Sequence, residues 1–255
     1  MASAQICATE TEVKPRVLAQ DRLIVALDSE NIDAARQMVA ELEGVVDFFK
    51  IGLVLQMAEG AEKFIHELLR KQKRVFLDYK YYDIPQTVGK AVERAAQLGV
   101  TFLTIHGSTN VIKEAVKAKG KKLQLFTVTV LTSMDAEDIA EMGYINHSVA
   151  DLVIIRAKKA LKWGCDGVIA SAIEAERIKR EVGSLLVVAP GIRQSDSPAD
   201  DQKRTATPAE AIASGADYLV VGRLITEPKK YGSYSTPKEA ATAILREMQD
   251  AFDKL

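Results

Sequence analysis

The sequence predicts a single closed (β/α)₈ barrel, the TIM-barrel class of α/β protein, on three observations. From Leu23 onward, eight short apolar runs alternate with segments whose apolar residues recur at helical spacing. The chain has 255 residues, close to the ~250 typical of the architecture. Polar residues stand where the apolar runs end: Asp28, Lys50, Asp78 with Lys80, His106, Thr132, Ser171, Arg193 and Arg223. In such barrels the active site lies at the C-terminal ends of the strands, so these residues would converge on one rim. An open doubly wound sheet would carry fewer strands and, for a dinucleotide, a Gly-x-Gly-x-x-Gly turn after the first. Here the first run leads into Asp28-Ser29-Glu30, with no glycine. The expected organisation is a lead-in segment, residues 1–20, and one catalytic barrel, residues 21–255.

The elements follow in order. Leu23 to Leu27 reads as the first strand, and Ile32, Ala35, Val39 and Leu42 mark the helix after it. Phe48 to Gly52 is the second strand, followed by a helix from about Glu59 to Lys71. Arg74 to Leu77 opens the third, and Gln86 to Leu98 is its helix, stopped by Gly99. Phe102 to His106 is the fourth strand, with a helix near Val111 to Lys119. The fifth is expected to be long, Leu123 to Leu131, with helical segments at Asp135 to Glu141 and Ser148 to Trp163. Gly167 to Ala170 with Glu174 to Glu181, and Leu185 to Ala189 with Pro208 to Ser214, make the next two units. Tyr218 to Val221 is the eighth strand, and an amphipathic helix over Pro237 to Phe252 closes the chain.

Composition narrows the function. The formal net charge is -1, from 34 basic and 35 acidic residues, which provides no general attraction for nucleic acid or an anionic membrane. Any anion must be held by a local cluster. Cys7 and Cys165 suggest no disulfide framework and fit a reducing cytoplasm. Residues 1–20 include Glu10, Glu12 and Lys14 and lack the apolar core of a secretory signal, and no apolar run is long enough to span a membrane. His66, His106 and His147 stand apart with no ligand spacing, so no metal site is expected.

The informative stretch is Phe76-Leu77-Asp78-Tyr79-Lys80-Tyr81-Tyr82-Asp83-Ile84-Pro85. Residues two apart in a strand share a face, so Asp78 and Lys80 point the same way. Asp83 follows past the strand end, which would crowd acid, base and acid at one mouth. Charges beside a hydrophobic strand are costly unless they pair or do chemistry. A structural ion pair would account for one Asp and one Lys, but the second carboxylate argues for chemistry. On the same rim, after the seventh and eighth strands, Pro190-Gly191-Ile192-Arg193 and Gly222-Arg223 each supply a glycine and a guanidinium suited to phosphate, and the polar segment Gln194 to Arg204 between them reads as a lid.

The spacing Asp-x-Lys-x-x-Asp-Ile-Pro resembles the catalytic strand of the orotidine 5′-phosphate decarboxylase family, which performs the last step of UMP synthesis. The resemblance extends to Asp28, Phe49-Lys50-Ile51-Gly52, Leu131-Thr132-Ser133, Pro190 to Arg193, Asp201-Gln202-Lys203-Arg204 and Val221-Gly222-Arg223, in order and over nearly the whole chain. It implies cofactor-free decarboxylation of orotidine 5′-phosphate, with Lys80 protonating C6 of the pyrimidine after carbon dioxide leaves. Asp78 would face the scissile carboxylate. Asp28 and Lys50 would bind the ribose hydroxyls, and Thr132 the pyrimidine side. Gln202, Arg193, Arg223 and the N–H groups of Gly222 and Arg223 would hold the phosphate. Asp83 and Thr87 would serve the active site of the partner in a homodimer. A Lys between carboxylates is favoured as the ammonium, ready to donate. Tyr82 and Gln86 depart from the family's commoner residues, a His and a smaller polar side chain, and Glu227 to Thr236 is longer than usual.

Three other readings fit parts of the pattern. Sugar-phosphate synthases and decarboxylases of the same superfamily share Asp-x-Lys-x-x-Asp but use Mg²⁺, and Ile84-Pro85 and Pro190 to Arg193 favour the pyrimidine enzyme. A Schiff-base aldolase needs a lysine of lowered pKa, against the effect of two flanking acids. A non-catalytic nucleotide-binding protein would not need the full charged set.

Overall fold

The computed structural model describes residues 17–195 and 203–255. A 3₁₀ turn, Ala19–Asp21, precedes strand β1, Leu23–Leu27, and helix α1, Ile32–Glu41. Then come β2 (Phe48–Ile51), α2 (Leu53–Gln56), α3 (Ala61–Arg70), β3 (Arg74–Tyr81), α4 (Pro85–Leu98), β4 (Phe102–Ile105) and α5 (Thr109–Ala118). Next are β5 (Gln124–Val128), α6 (Ala136–Glu141), α7 (Val149–Lys162), β6 (Gly167–Ile169), α8 (Ala172–Val182), β7 (Leu186–Ala189) and α9 (Pro208–Ala213). Strand β8, Tyr218–Val221, is followed by α10 (Arg223–Thr226), α11 (Pro228–Tyr231) and α12 (Pro237–Phe252). All eight strands pair in parallel with their sequence neighbours, and β1 pairs with β8 to close the barrel.

Burial on both faces of the sheet explains why the strands read as continuous apolar runs. Residues facing outward, such as Val25, Val75, Leu77 and Leu103, pack under the helices. Those facing inward form a separate core of Ile24, Ala26, Phe48, Phe76, Phe102, Phe126, Val188 and Val220. Phe102 sits at its centre, with ring centroids 4.5 Å from Phe126, 4.9 Å from Phe48 and 5.0 Å from Tyr218. This aromatic plug fills the lower barrel and forms the floor on which the polar rim stands. It also explains Gly167, where a Cβ would overlap the Phe126 ring and the Leu186 carbonyl.

Beyond the short helix α2, which lies before the helix expected from about Glu59, three stretches differ from expectation. β5 ends at Val128, short of Leu131, because the Thr129 hydroxyl and N–H both donate to the Ile169 carbonyl, at 2.7 and 3.1 Å, as the chain leaves the sheet. The stretch after β8 contains the short helices α10 and α11, which a few residues of apolar periodicity cannot announce. β3 runs to Tyr81 but is irregular. Leu77 pairs with Leu103 and Tyr81 with Ile105, so β3 carries two extra residues relative to β4. A two-residue excess preserves the alternation of faces, and Asp78 and Lys80 therefore still share the inner side.

Candidate active site

The rim residues surround a cavity of about 240 Å³ at the C-terminal ends of the strands. Its lining includes Asp28, Lys50, Asp78, Lys80, Thr132, Arg193, Gly222 and Arg223, over a floor of Ala26, Phe76, Val128 and Val220. Lys50, Asp78 and Lys80 hold the last inward positions of β2 and β3, and Asp28 follows the last residue of β1, which fixes their places by parity and register.

Four of these groups form one alternating chain. The Lys50 ammonium donates to Asp28 Oδ1 at 3.1 Å and lies 3.6 Å from Asp78 Oδ2. The Lys80 ammonium lies 2.9 Å from Asp78 Oδ1. Gly52 allows this closeness, since a Cβ there would stand 3.1 Å from Asp28 Oδ1 and 3.2 Å from Lys50 Nζ. Burial works against ionisation of Asp78, but Lys50, Lys80 and the Thr104 hydroxyl outweigh it and hold the carboxyl below its ordinary value.

The irregularity in β3 shapes this chain. Lys80 has φ of +49°, a left-handed conformation that costs a non-glycine residue roughly 1–2 kcal/mol. Its N–H donates to Thr104 Oγ1 at 2.9 Å, and the Thr104 hydroxyl donates to Asp78 Oδ1 at 2.9 Å. Sequence reasoning treated Thr104 as part of an apolar strand. The missed signal was its parity with Phe102, which puts a hydroxyl on the inner face.

The structure does not bring every expected residue to this cavity. Asp83 and Thr87 are exposed and lie outside its lining. The crowding of Asp83 with Asp78 and Lys80 is therefore not found within the chain. The turn into α4 carries Asp83 outward, and its carboxylate accepts the Ile84 N–H at 2.6 Å. Gln202 lies outside the described residues, as does much of the expected lid. Ser171 caps α8, accepting the Ile173 N–H at 3.3 Å. His106 faces a neighbouring cavity shared with Lys80, Tyr82, Tyr144, Arg156 and Lys159. Burial and the positive charges of Arg156 and Lys80 lower its pKa and favour the neutral imidazole.

The opposite end of the main cavity is built from the segments after β7 and β8. Ala206 returns beside Ile192, with the Arg193 N–H donating to the Ala206 carbonyl at 2.9 Å and the Ala206 N–H to the Gly191 carbonyl at 3.2 Å. Lys203 and Arg204 tie the chain to the end of β5. The Lys203 N–H donates to the Thr132 carbonyl at 3.2 Å, and Arg204 donates to the Leu131 carbonyl at 2.8 Å. The unexpected helices buttress this end. Tyr231 of α11 stacks under Arg223, whose guanidinium carbon is 5.2 Å from the ring centroid. The Tyr234 hydroxyl accepts from the Gln194 amide at 2.5 Å. The long segment after β8 thus supports Arg223 and Gln194 from behind.

Comparison with known proteins agrees with this geometry. Residues 21–241 match the model of the orotidine 5′-phosphate decarboxylase / HUMPS family. The chain belongs to this family. An orotidine 5′-phosphate decarboxylase of Nitrobacter winogradskyi is 53% identical over 92% of this chain and 95% of its own length. One from Methylorubrum extorquens is 43% identical over 91% and 97%. The crystal structure of the Lactobacillus acidophilus orotidine 5′-phosphate decarboxylase superposes with a TM-score of 0.75 at 32% identity, covering 89% of this chain and 98% of that one. The match to this family thus runs along almost the full length of the barrel.

Proposed function

We propose that this chain decarboxylates orotidine 5′-phosphate to UMP, the last step of pyrimidine nucleotide synthesis, without a cofactor. The observation that carries the proposal is the continuous chain Asp28–Lys50–Asp78–Lys80 along one side of a pocket with two arginines at its other end. The names of the full-length relatives support the decarboxylase over the sugar-phosphate members that the family also embraces.

The chemistry asks for what these residues offer. The C6–carboxylate bond breaks with its electron pair left on C6, a carbon with no conjugated sink. A proton must then reach that carbon. The Lys80 ammonium, fixed by Asp78, supplies the proton and the positive field beside the developing carbanion. Asp78, held ionised, faces the departing carboxylate. Asp28 and Lys50 take the ribose hydroxyls, and Thr132 the pyrimidine. Arg193, Gln202, Arg223 and the N–H groups of Gly222 and Arg223 grip the phosphate. That remote grip supplies binding energy for orienting the reacting carbon.

The active protein is a cytoplasmic homodimer formed by the single barrel of residues 21–255, and neither nucleic acid nor membrane is its partner. Supporting this, Asp83 and Thr87 lie away from their own pocket, and exposed Tyr82 and Ile84 flank Asp83. The neighbouring cavity with Arg156, Lys159 and Lys80 suits a carboxylate from a second copy. Sedimentation would give the mass. Mixing Asp83→Asn and Lys80→Ala chains, each inactive alone, should restore part of the activity only if sites are shared.

The deciding experiment follows the ultraviolet absorbance of orotidine 5′-phosphate with EDTA present, for wild type and Lys80→Ala. Wild-type turnover that the mutant lacks is the expected result. No turnover without Mg²⁺ would send the assignment to sugar phosphates, and equal turnover in the mutant would remove Lys80 as proton donor.

A further inference from the structure

We propose that Thr104 is a positioning residue of the reaction, whose hydroxyl sets the orientation of Asp78 and the backbone of Lys80. The inference rests on the decarboxylase reading and deepens it. Thr104 is fully buried on the inner face of β4, opposite the irregular part of β3. One oxygen makes both contacts. It accepts the Lys80 N–H and donates to Asp78 Oδ1, each at 2.9 Å.

The direction of these bonds is fixed by valence. A backbone N–H can only donate, so the hydroxyl oxygen must accept from Lys80. Its proton then goes to Asp78, which as a carboxylate can only accept. The arrangement therefore matches the ionised form of Asp78. It also orients the carboxylate plane, since Oδ1 is held by Thr104 and Lys80 while Oδ2 turns to Lys50 at 3.6 Å. The same hydroxyl partners the backbone of Lys80 where two extra residues interrupt the ladder and φ is positive. One side chain thus connects the proposed proton donor's main chain to the group that fixes its ammonium.

Thr104→Val removes the hydroxyl and keeps the β-branched shape. The expected result is a loss of about 10²-fold in kcat, the scale set by a misplacement of the reacting groups, with KM within about twofold because the phosphate grip is untouched. The charged groups facing Asp78 are Lys50 from β2 and Lys80 from its own strand, with Asp28 behind Lys50 and His106 at the end of β4. These remain, so loss of one hydrogen bond to the ionised carboxyl should move the acid limb of the kcat profile upward in pH. Thr104→Ser should restore both kcat and profile. Rates are referred to active sites titrated with UMP, so that a smaller folded fraction does not imitate the effect. If the valine chain does not fold, Thr104→Ala, with room for a water in place of the hydroxyl, carries the same expectation at smaller amplitude. A valine or alanine variant with wild-type kcat per site and an unmoved acid limb overturns the inference, as does serine failing to rescue. Absence of wild-type turnover would instead overturn the decarboxylase reading itself.

Discussion

Both ends of the barrel carry lysine–aspartate pairs, and they differ in what the aspartate does with its remaining capacity. At the N-terminal end, Lys73 meets Asp47 at 2.6 Å, Lys119 meets Asp166 at 2.8 Å, and Lys179 meets Asp217 at 2.6 Å. Two of these carboxylates also accept the N–H of a neighbouring strand's residue, Leu125 for Asp166 and Val187 for Asp217, each at 2.7 Å. Each of these two pairs closes on the backbone and locks strand to strand. At the C-terminal end, Asp78 accepts from a side-chain hydroxyl and pairs with two ammonium groups, and the chain of charges faces a cavity. The same two residue types serve as staples at one end and line an open pocket as an alternating array of charge at the other. The general division of such barrels into a stabilising face and a catalytic face thus has a concrete cause here.

The sharpest way to test that contrast is to remove one charge from each end. Lys80→Ala should lower turnover by roughly 10³-fold, within the range for losing a general acid. Asp78 keeps Lys50 and Thr104 as partners, so the melting temperature should change little. Asp217→Ala should do the reverse. It leaves the Val187 N–H without its acceptor, at a cost of ~2 kcal/mol. For a chain of this size that lowers the melting temperature by roughly 4–8 °C, with kcat per folded site unchanged. Loss of turnover without loss of stability in Asp217→Ala would break the comparison.

A smaller effect concerns acid stability. The folded pKa of Asp78 is lowered, so it contributes stability that is present above the unfolded value of about 3.9 and lost as pH falls through the folded value. Urea unfolding of wild type and Asp78→Asn should therefore differ most near neutral pH and converge below about pH 4. A gap that widens in acid would contradict the sign. The smallest effect is local. Burial, with Asp166 adding to it, pushes the Cys165 thiol up to about 12. In native protein Cys165 should resist alkylation at pH 8 and react only at the rate of opening. Prompt labelling would show that the Lys119–Asp166 end is looser than its bonds imply.

Much of this was legible beforehand because strands and helices in a layered α/β fold announce themselves by local periodicity. β1, β8 and α12 begin and end where their apolar patterns do. Where boundaries moved, a tertiary contact moved them. β5 stops at Val128 because Thr129 turns both its donors to β6, and no local pattern encodes that choice. Asp28, Lys50, Asp78 and Lys80 could be read as one rim because each ends an apolar run. Thr104 could not be read as their partner, since its role depends on the register of β4 against β3.

The sequence by itself determined the barrel, the inward face of the charged residues and the family to which their spacing belongs, because alternation and strand endings are properties of a single segment. Only the tertiary structure decided how those residues meet. The two extra residues of β3 preserve its parity while forcing Lys80 into a left-handed backbone, and the hydroxyl from the next strand secures it. The segment after β8 likewise gained its role only when Tyr231 came to rest beneath Arg223. Such relations join residues far apart in the chain, and closing the barrel is what brings them within bonding distance.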